Sequence, residues 1–137
     1  MNPQRKRKPK LVSNTRIYLD MRRVFNQILD CVPNFPKDFR YTIGAELQRL
    51  CVRLVREIAA AYTCRDKEGR VARLTEFQTD FETMKLLVRT AGERKWIRGT
   101  GRLADLVETI DSVGKQSSAW KRSLLDEQGA APEPQRS

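Results

Sequence analysis

The chemistry this sequence can do resides in cations at helical spacing. Arg49, Arg53 and Arg56 follow one another at intervals of four and three, so a helix through them displays all three on one face. Arg70, Arg73, Lys85 and Arg89 come next, interrupted by Glu76, Asp80 and Glu82; then Arg94, Lys95 and Arg98 surround Trp96 between glycines. A charge run on a helix is ordinarily solvated surface. Here it recurs on consecutive segments, which would bring it together as an extended patch once the chain folds. Such groups suit phosphate oxygens: each phosphate neutralised steepens the salt dependence of binding by a slope of about 0.7 to 0.9, so a handful of contacts suffices. Trp96 has two uses in that setting, stacking on an unpaired base or folding back over the end of a helical bundle.

Groups that catalyse are scarce. The chain contains no histidine, which removes the commonest general base, the H-E-x-x-H zinc motif and the Glu-x-x-His pairs of di-iron bundles. No G-x-S-x-G or phosphate loop occurs. Glu76 and Asp80 stand four apart on a polar face among arginines and read as surface ion-pair partners. No catalytic residue, metal site or cofactor is therefore expected. The three cysteines, Cys31, Cys51 and Cys64, form no C-x-x-C pair, argue against zinc and disulfide frameworks, and read as small core residues in a reducing cytoplasm.

The net charge is +10, from 27 Lys and Arg against 17 Asp and Glu. Five cations lie within the first ten residues, but the stretch from Arg16 to Leu124 still holds 21 basic and 14 acidic residues. The folded part is basic in its own right, which favours polyanionic partners, nucleic acid first. No run approaches the roughly 18 to 20 apolar residues that cross a bilayer, and no apolar segment follows the basic N-terminus as a signal peptide requires. A soluble protein without membrane contact is expected.

Four amphipathic helices would position these cations. Ile17, Met21, Val24, Ile28 and Val32 mark the first, with Ser13 or Asn14 as its cap. Ile43, Leu47, Leu50, Leu54, Ile58 and Ala61 mark the second. Leu74, Phe77, Phe81, Met84, Val88 and Ala91 mark the third, and Gly92 is expected to stop it. Leu103, Leu106, Ile110, Val113, Ser117, Trp120 and Leu124 mark the fourth. The helices fall at about 15–32, 40–64, 67–91 and 100–124, between a disordered basic arm (1–13), which contacts phosphates or merely solubilises, and a disordered tail (126–137). Without two-residue alternation there is no case for strands. The expected fold is all-α, an antiparallel up-down four-helix bundle over residues 14–125.

Residues 35–44, Phe-Pro-Lys-Asp-Phe-Arg-Tyr-Thr-Ile-Gly, join the first two helices. Pro36 lacks an amide hydrogen and biases Phe35 out of the α region, so the preceding helix must end. Aromatic residues in so short a connection are useful only if it packs. The stretch reads as a folded corner that orients helix two, with Lys37 and Arg40 subordinate to that role.

Three landmarks give the chain a family resemblance. Phe35-Pro36-Lys37 followed by Arg40-Tyr41-Thr42-Ile43-Gly44 is similar to F-P-[KR]-x-x-R-[YF]-[ST]-[LI]-G; residues 85–91 place a basic residue, three apolar positions, Arg and a small pair; Val113-Gly114-Lys115 with Trp120-Lys121 is similar to I-G-R-x-L-G-G-W. In this order they resemble the accessory variability determinant (Avd) family of diversity-generating retroelements, within the superfamily of four-helix bundles encoded in rRNA intervening sequences. Ser117 stands where the third pattern has an apolar residue, and Ser118-Ala119 replace its glycine pair, so helix four is expected to pack differently there. The S-I-P-x-N-I-A-E-G-like segment of the intervening-sequence branch is missing from residues 54–61, which favours the Avd side.

The resemblance implies a homopentameric barrel with a basic exterior. It implies binding to a reverse transcriptase and its template RNA, in support of mutagenic retrohoming inside a bacterial or phage-infected cell, with no catalytic activity; the cDNA copied from that RNA is a further candidate partner. The family's basic positions late in helix three fall on Lys85 and Arg89. Arg49, Arg53, Arg56, Arg73, Arg94, Lys95 and Arg98 follow from the spacing above. The competing expectation is an assembly module in which apolar surface on helices one and two makes the oligomer and the charge only keeps it soluble.

Overall fold

The computed structural model describes residues 11–130, with side chains as far as Asp126. Four long helices form it: α1 (Arg16–Cys31), α2 (Ala45–Thr63), α3 (Lys67–Glu93) and α4 (Arg102–Ala130). Each packs against its chain neighbours, and α4 closes on α1, giving an all-α antiparallel bundle. The cause is the periodicity: Ile17, Met21, Val24, Ile28 and Cys31 of α1, and Leu74, Phe77, Phe81, Met84, Val88 and Ala91 of α3, are all buried. A polar latch accompanies the apolar seam, since Asp20 on α1 accepts from Ser112 at 3.2 Å and Gln116 at 2.7 Å on α4.

The ends of the elements depart from the expectations. Neither Ser13 nor Asn14 caps α1; both belong to a 3₁₀ turn (Val12–Asn14), and Thr15, in extended conformation, donates its hydroxyl to the Val12 carbonyl at 2.7 Å. Val12 packs against the core, so ordered chain begins inside the arm drawn through residue 13, whose residues 1–10 lie outside the described residues. At the other terminus α4 continues to Ala130, past the compositional change at Asp126. The first proline after that point is Pro132, so no residue before it removes a helical hydrogen bond. The rest of the expected tail, residues 131–137, lies outside the described residues.

Gly92 does not terminate α3, which runs to Glu93. The left-handed position belongs to Lys95, at φ 62°. Around it the Lys95 amide donates to Gly92 O at 3.0 Å and the Trp96 amide to Ala91 O at 2.9 Å, the paired bonds of a Schellman cap. Gly92 serves packing instead: a Cβ there would lie 3.1 Å from a Leu103 methyl carbon.

The corner between α1 and α2 consists of a 3₁₀ turn (Val32–Asn34), a short helical turn (Lys37–Phe39) and a π-helical turn (Arg40–Gly44) running directly into α2. Phe35 is buried, and Arg40 reaches back to donate to its carbonyl at 3.2 Å. Gly44 completes the corner by lacking a side chain: a Cβ would sit 2.7 Å from Val32 Cγ1.

Candidate nucleic-acid interface

The candidate cations occupy three surfaces. The first is the outer face of α2 and α3. Arg49 pairs with Glu46 at 3.0 Å and Arg53 with Asp80 at 3.8 Å, while Arg56 and Arg73 are exposed with no carboxylate partner among the described residues. Helical spacing did place Arg49, Arg53 and Arg56 together. What it left out is Glu57, whose carboxyl hydrogen-bonds to Asp80 across the helix interface and whose Oε1 is buried without a partner. Asp80 is thus more than the surface ion-pair partner that its spacing suggested.

Burial pushes the Glu57 carboxyl up to about 8; the Asp80 hydrogen bond and charge add to this, as does Glu76, and Arg53 opposes it. The folded protein holds a proton here that the unfolded chain releases near 4.5. Stability should therefore fall as pH rises from about 4.5 toward about 8. Glu57→Gln, which can always donate to Asp80, is expected to flatten that decline and to stabilise by about 1 kcal/mol at pH 8.5 with little change at pH 4. Urea unfolding at both pH values measures it; an unchanged pH profile would sink the account.

The second surface is a groove of about 1090 Å³ between α3 and α4, to which Phe81, Val88, Ile110 and Gly114 contribute. It stays open because α4 offers small residues there. Gly114 lets the Phe81 ring come within 3.3 Å of where a Cβ would be, and Ser117, buried, donates its hydroxyl to Gly114 O at 3.0 Å. Lys85 and Arg89 also line it. Lys85 pairs with Glu82 at 2.9 Å and lies 5.5 Å from the centre of the Phe81 ring; Arg89 is exposed and has no carboxylate partner among the described residues. At about 100° per residue, Lys85 and Arg89 point roughly 140° and 180° away from Asp80. They cannot join the arginines of the first surface.

The third surface is the end of the bundle beside the corner. Trp96 is only 7% exposed. Its ring stacks on Phe39 at 4.7 Å and meets Phe35 at 5.3 Å, so of its two possible uses it takes the structural one. Arg94 lies over both Phe39 and Trp96, at 5.8 and 5.4 Å, while Lys95 and Arg98 project from the loop without carboxylate partners among the described residues.

A family model described as bAvd-like matches residues 11–124. The chain belongs to the bAvd-like family. No curated protein matches it. The matched span covers all three surfaces of this bAvd-like bundle, and two of the segments that carried the resemblance, the corner at Gly44 and the α4 segment at Gly114, sit at close approaches between elements. Ser117 replaces the apolar residue of the α4 pattern at a buried site where its hydroxyl is satisfied within its own helix. Among the described residues no helix is long and apolar enough to cross a membrane.

Proposed function

We propose that this bAvd-like protein is a non-catalytic accessory subunit that binds a reverse transcriptase and its template RNA and supports mutagenic cDNA synthesis in a diversity-generating retroelement. It acts in the cytoplasm of a bacterial or phage-infected cell, as a homo-oligomer whose family-derived form is a pentameric barrel. One observation carries the reading: Arg56, Arg73, Arg89, Lys95 and Arg98 stand exposed with no carboxylate partner among the described residues, on a folded region that is basic overall. Exposed cations contribute little to folding, and left unpaired they keep a positive field available to a polyanion. The groove lined by Lys85 and Arg89 adds apolar surface beside the charge, as a protein partner requires.

Co-purification of template RNA and reverse transcriptase with wild type and with Lys85→Glu/Arg89→Glu tests the assignment. The double reversal is expected to reduce RNA recovery at least about tenfold, since two phosphate contacts become repulsions. Unchanged recovery of both partners would remove this surface from the reading.

Leu19 and Leu29 on α1 and Val52 on α2 are exposed, which favours a second reading: a pure assembly module. A filter assay with no RNA retained at low ionic strength would select it. Light scattering that returns a monomer at micromolar concentration would contradict the barrel.

A further inference from the structure

We infer that the bundle end built from residues 36–44 and 94–98 is a subsite for single-stranded RNA, in which Tyr41 stacks on one unpaired base while Lys37, Lys95 and Arg98 hold the flanking phosphates. The inference rests on the RNA-binding reading above and locates one part of it.

Tyr41 is 73% exposed, more than any other large hydrophobic side chain among the described residues. Backbone geometry puts it there. The π-helical turn Arg40–Gly44 buries Gly44 and leaves Tyr41 outside. Phe35 and Phe39 both pack on Trp96, whereas the fourth aromatic of this end faces water. An exposed ring adds nothing to the core. It does offer a π-face, and base-on-ring stacking needs nothing more elaborate.

The two segments pack on each other, the Phe39 and Trp96 rings stacking at 4.7 Å. Tyr41 lies two residues from the first ring, and Lys95 and Arg98 lie one and two residues from the second. The frame is stiff: Arg40 is tied to the Phe35 carbonyl, Lys95 is held in the left-handed region by the α3 cap, and Arg94 covers both rings. Carboxylates on these segments are few. Asp38 and Glu93 are exposed nearby, against Lys37, Lys95 and Arg98 at the surface and Arg94 on the rings. An exposed ring on a segment that carries Lys37, packed against a loop that carries Lys95 and Arg98, matches a nucleotide, whose base is flat and whose backbone is anionic. A protein partner would call for a contiguous apolar patch, and Tyr41 stands singly.

The test is fluorescence anisotropy with full-length protein, a labelled single-stranded RNA oligonucleotide and a labelled RNA duplex of equal length, at low salt. Tyr41→Ala is expected to weaken single-strand binding at least about fivefold while leaving duplex binding within about twofold. Tyr41→Phe should retain wild-type affinity, because it keeps the ring. Arg98→Gln should lower the single-strand salt slope by about 0.7. Thermal unfolding of Tyr41→Ala should match wild type, as the side chain is in water. If Tyr41→Ala binds single strands as wild type does, the subsite is overturned and the RNA reading stands. If wild type binds neither RNA, the proposed function falls and takes the subsite with it. If Tyr41→Ala keeps its RNA affinity but loses the reverse transcriptase in a pull-down, this end is a protein surface and the inference is likewise overturned.

Discussion

Trp96→Ala is expected to destabilise the protein by about 3–5 kcal/mol, the range for emptying a large aromatic site in a packed interior. Trp96 is 7% exposed and stands between Phe39, at 4.7 Å, and Phe35, at 5.3 Å. Removing it would strip two rings of a neighbour and leave a cavity that stiff surroundings cannot close. Arg94 would lose one of the two rings beneath its guanidinium. The cap of α3 should persist, because the Trp96 bond to Ala91 O is made by the backbone amide. Urea unfolding gives the stability, and Trp96→Phe should recover much of the loss by restoring a ring. A loss under about 1 kcal/mol would mean that the bundle end is not closed by this side chain. The base-stacking use of Trp96 predicts that smaller value, since a ring held out for a ligand contributes little to folding.

Gly44→Ala should likewise destabilise, by about 1–3 kcal/mol, although elementary propensity argues the other way. Gly44 has helical backbone angles, φ −62° and ψ −45°. At an exposed helical position alanine would be favoured over glycine by roughly 1 kcal/mol. Here the added Cβ would lie 2.7 Å from Val32 Cγ1, and Val32 is buried and β-branched, with no freedom to swing away. The clash outweighs the propensity. A double-mutant cycle isolates it: Val32→Ala alone opens a cavity, but combined with Gly44→Ala it makes room for the new methyl, so the pair should cost less than the sum of the singles. Additive costs, or a stabilised Gly44→Ala, would show that the two elements do not touch as described.

Inner faces were legible in the sequence wherever the apolar spacing ran through several turns. On α3 every position of the three-four repeat is buried, because a helix with one apolar stripe has a single way to hide it. Helix ends were less so. Gly92 reads as a stop signal, yet glycine serves both as a left-handed cap and as a gap for a neighbour, and only the approach of Leu103 decides which. Lys95 in the left-handed position has no sequence signal at all. On α1, a local hydroxyl-to-carbonyl bond at Thr15 took precedence over the Ser13 and Asn14 caps.

The candidate site divides along the same line. The sequence by itself determined an all-helical bundle, a basic folded region, the shared face of Arg49, Arg53 and Arg56, and membership of a family marked by its corner. Spacing along one helix determines angles around that helix, so these follow from the chain alone. Only the tertiary structure decided which cations meet. Crossing partners gave Arg53 to Asp80 and buried Glu57 against the same carboxyl, while the approach of α4 turned the face that carries Lys85 and Arg89 into one wall of a groove. It also sorted the aromatics, drawing Trp96 into the bundle end and leaving Tyr41 in water. The reason is geometric: side chains on different elements become neighbours through packing distances and crossing, which no interval in the sequence encodes.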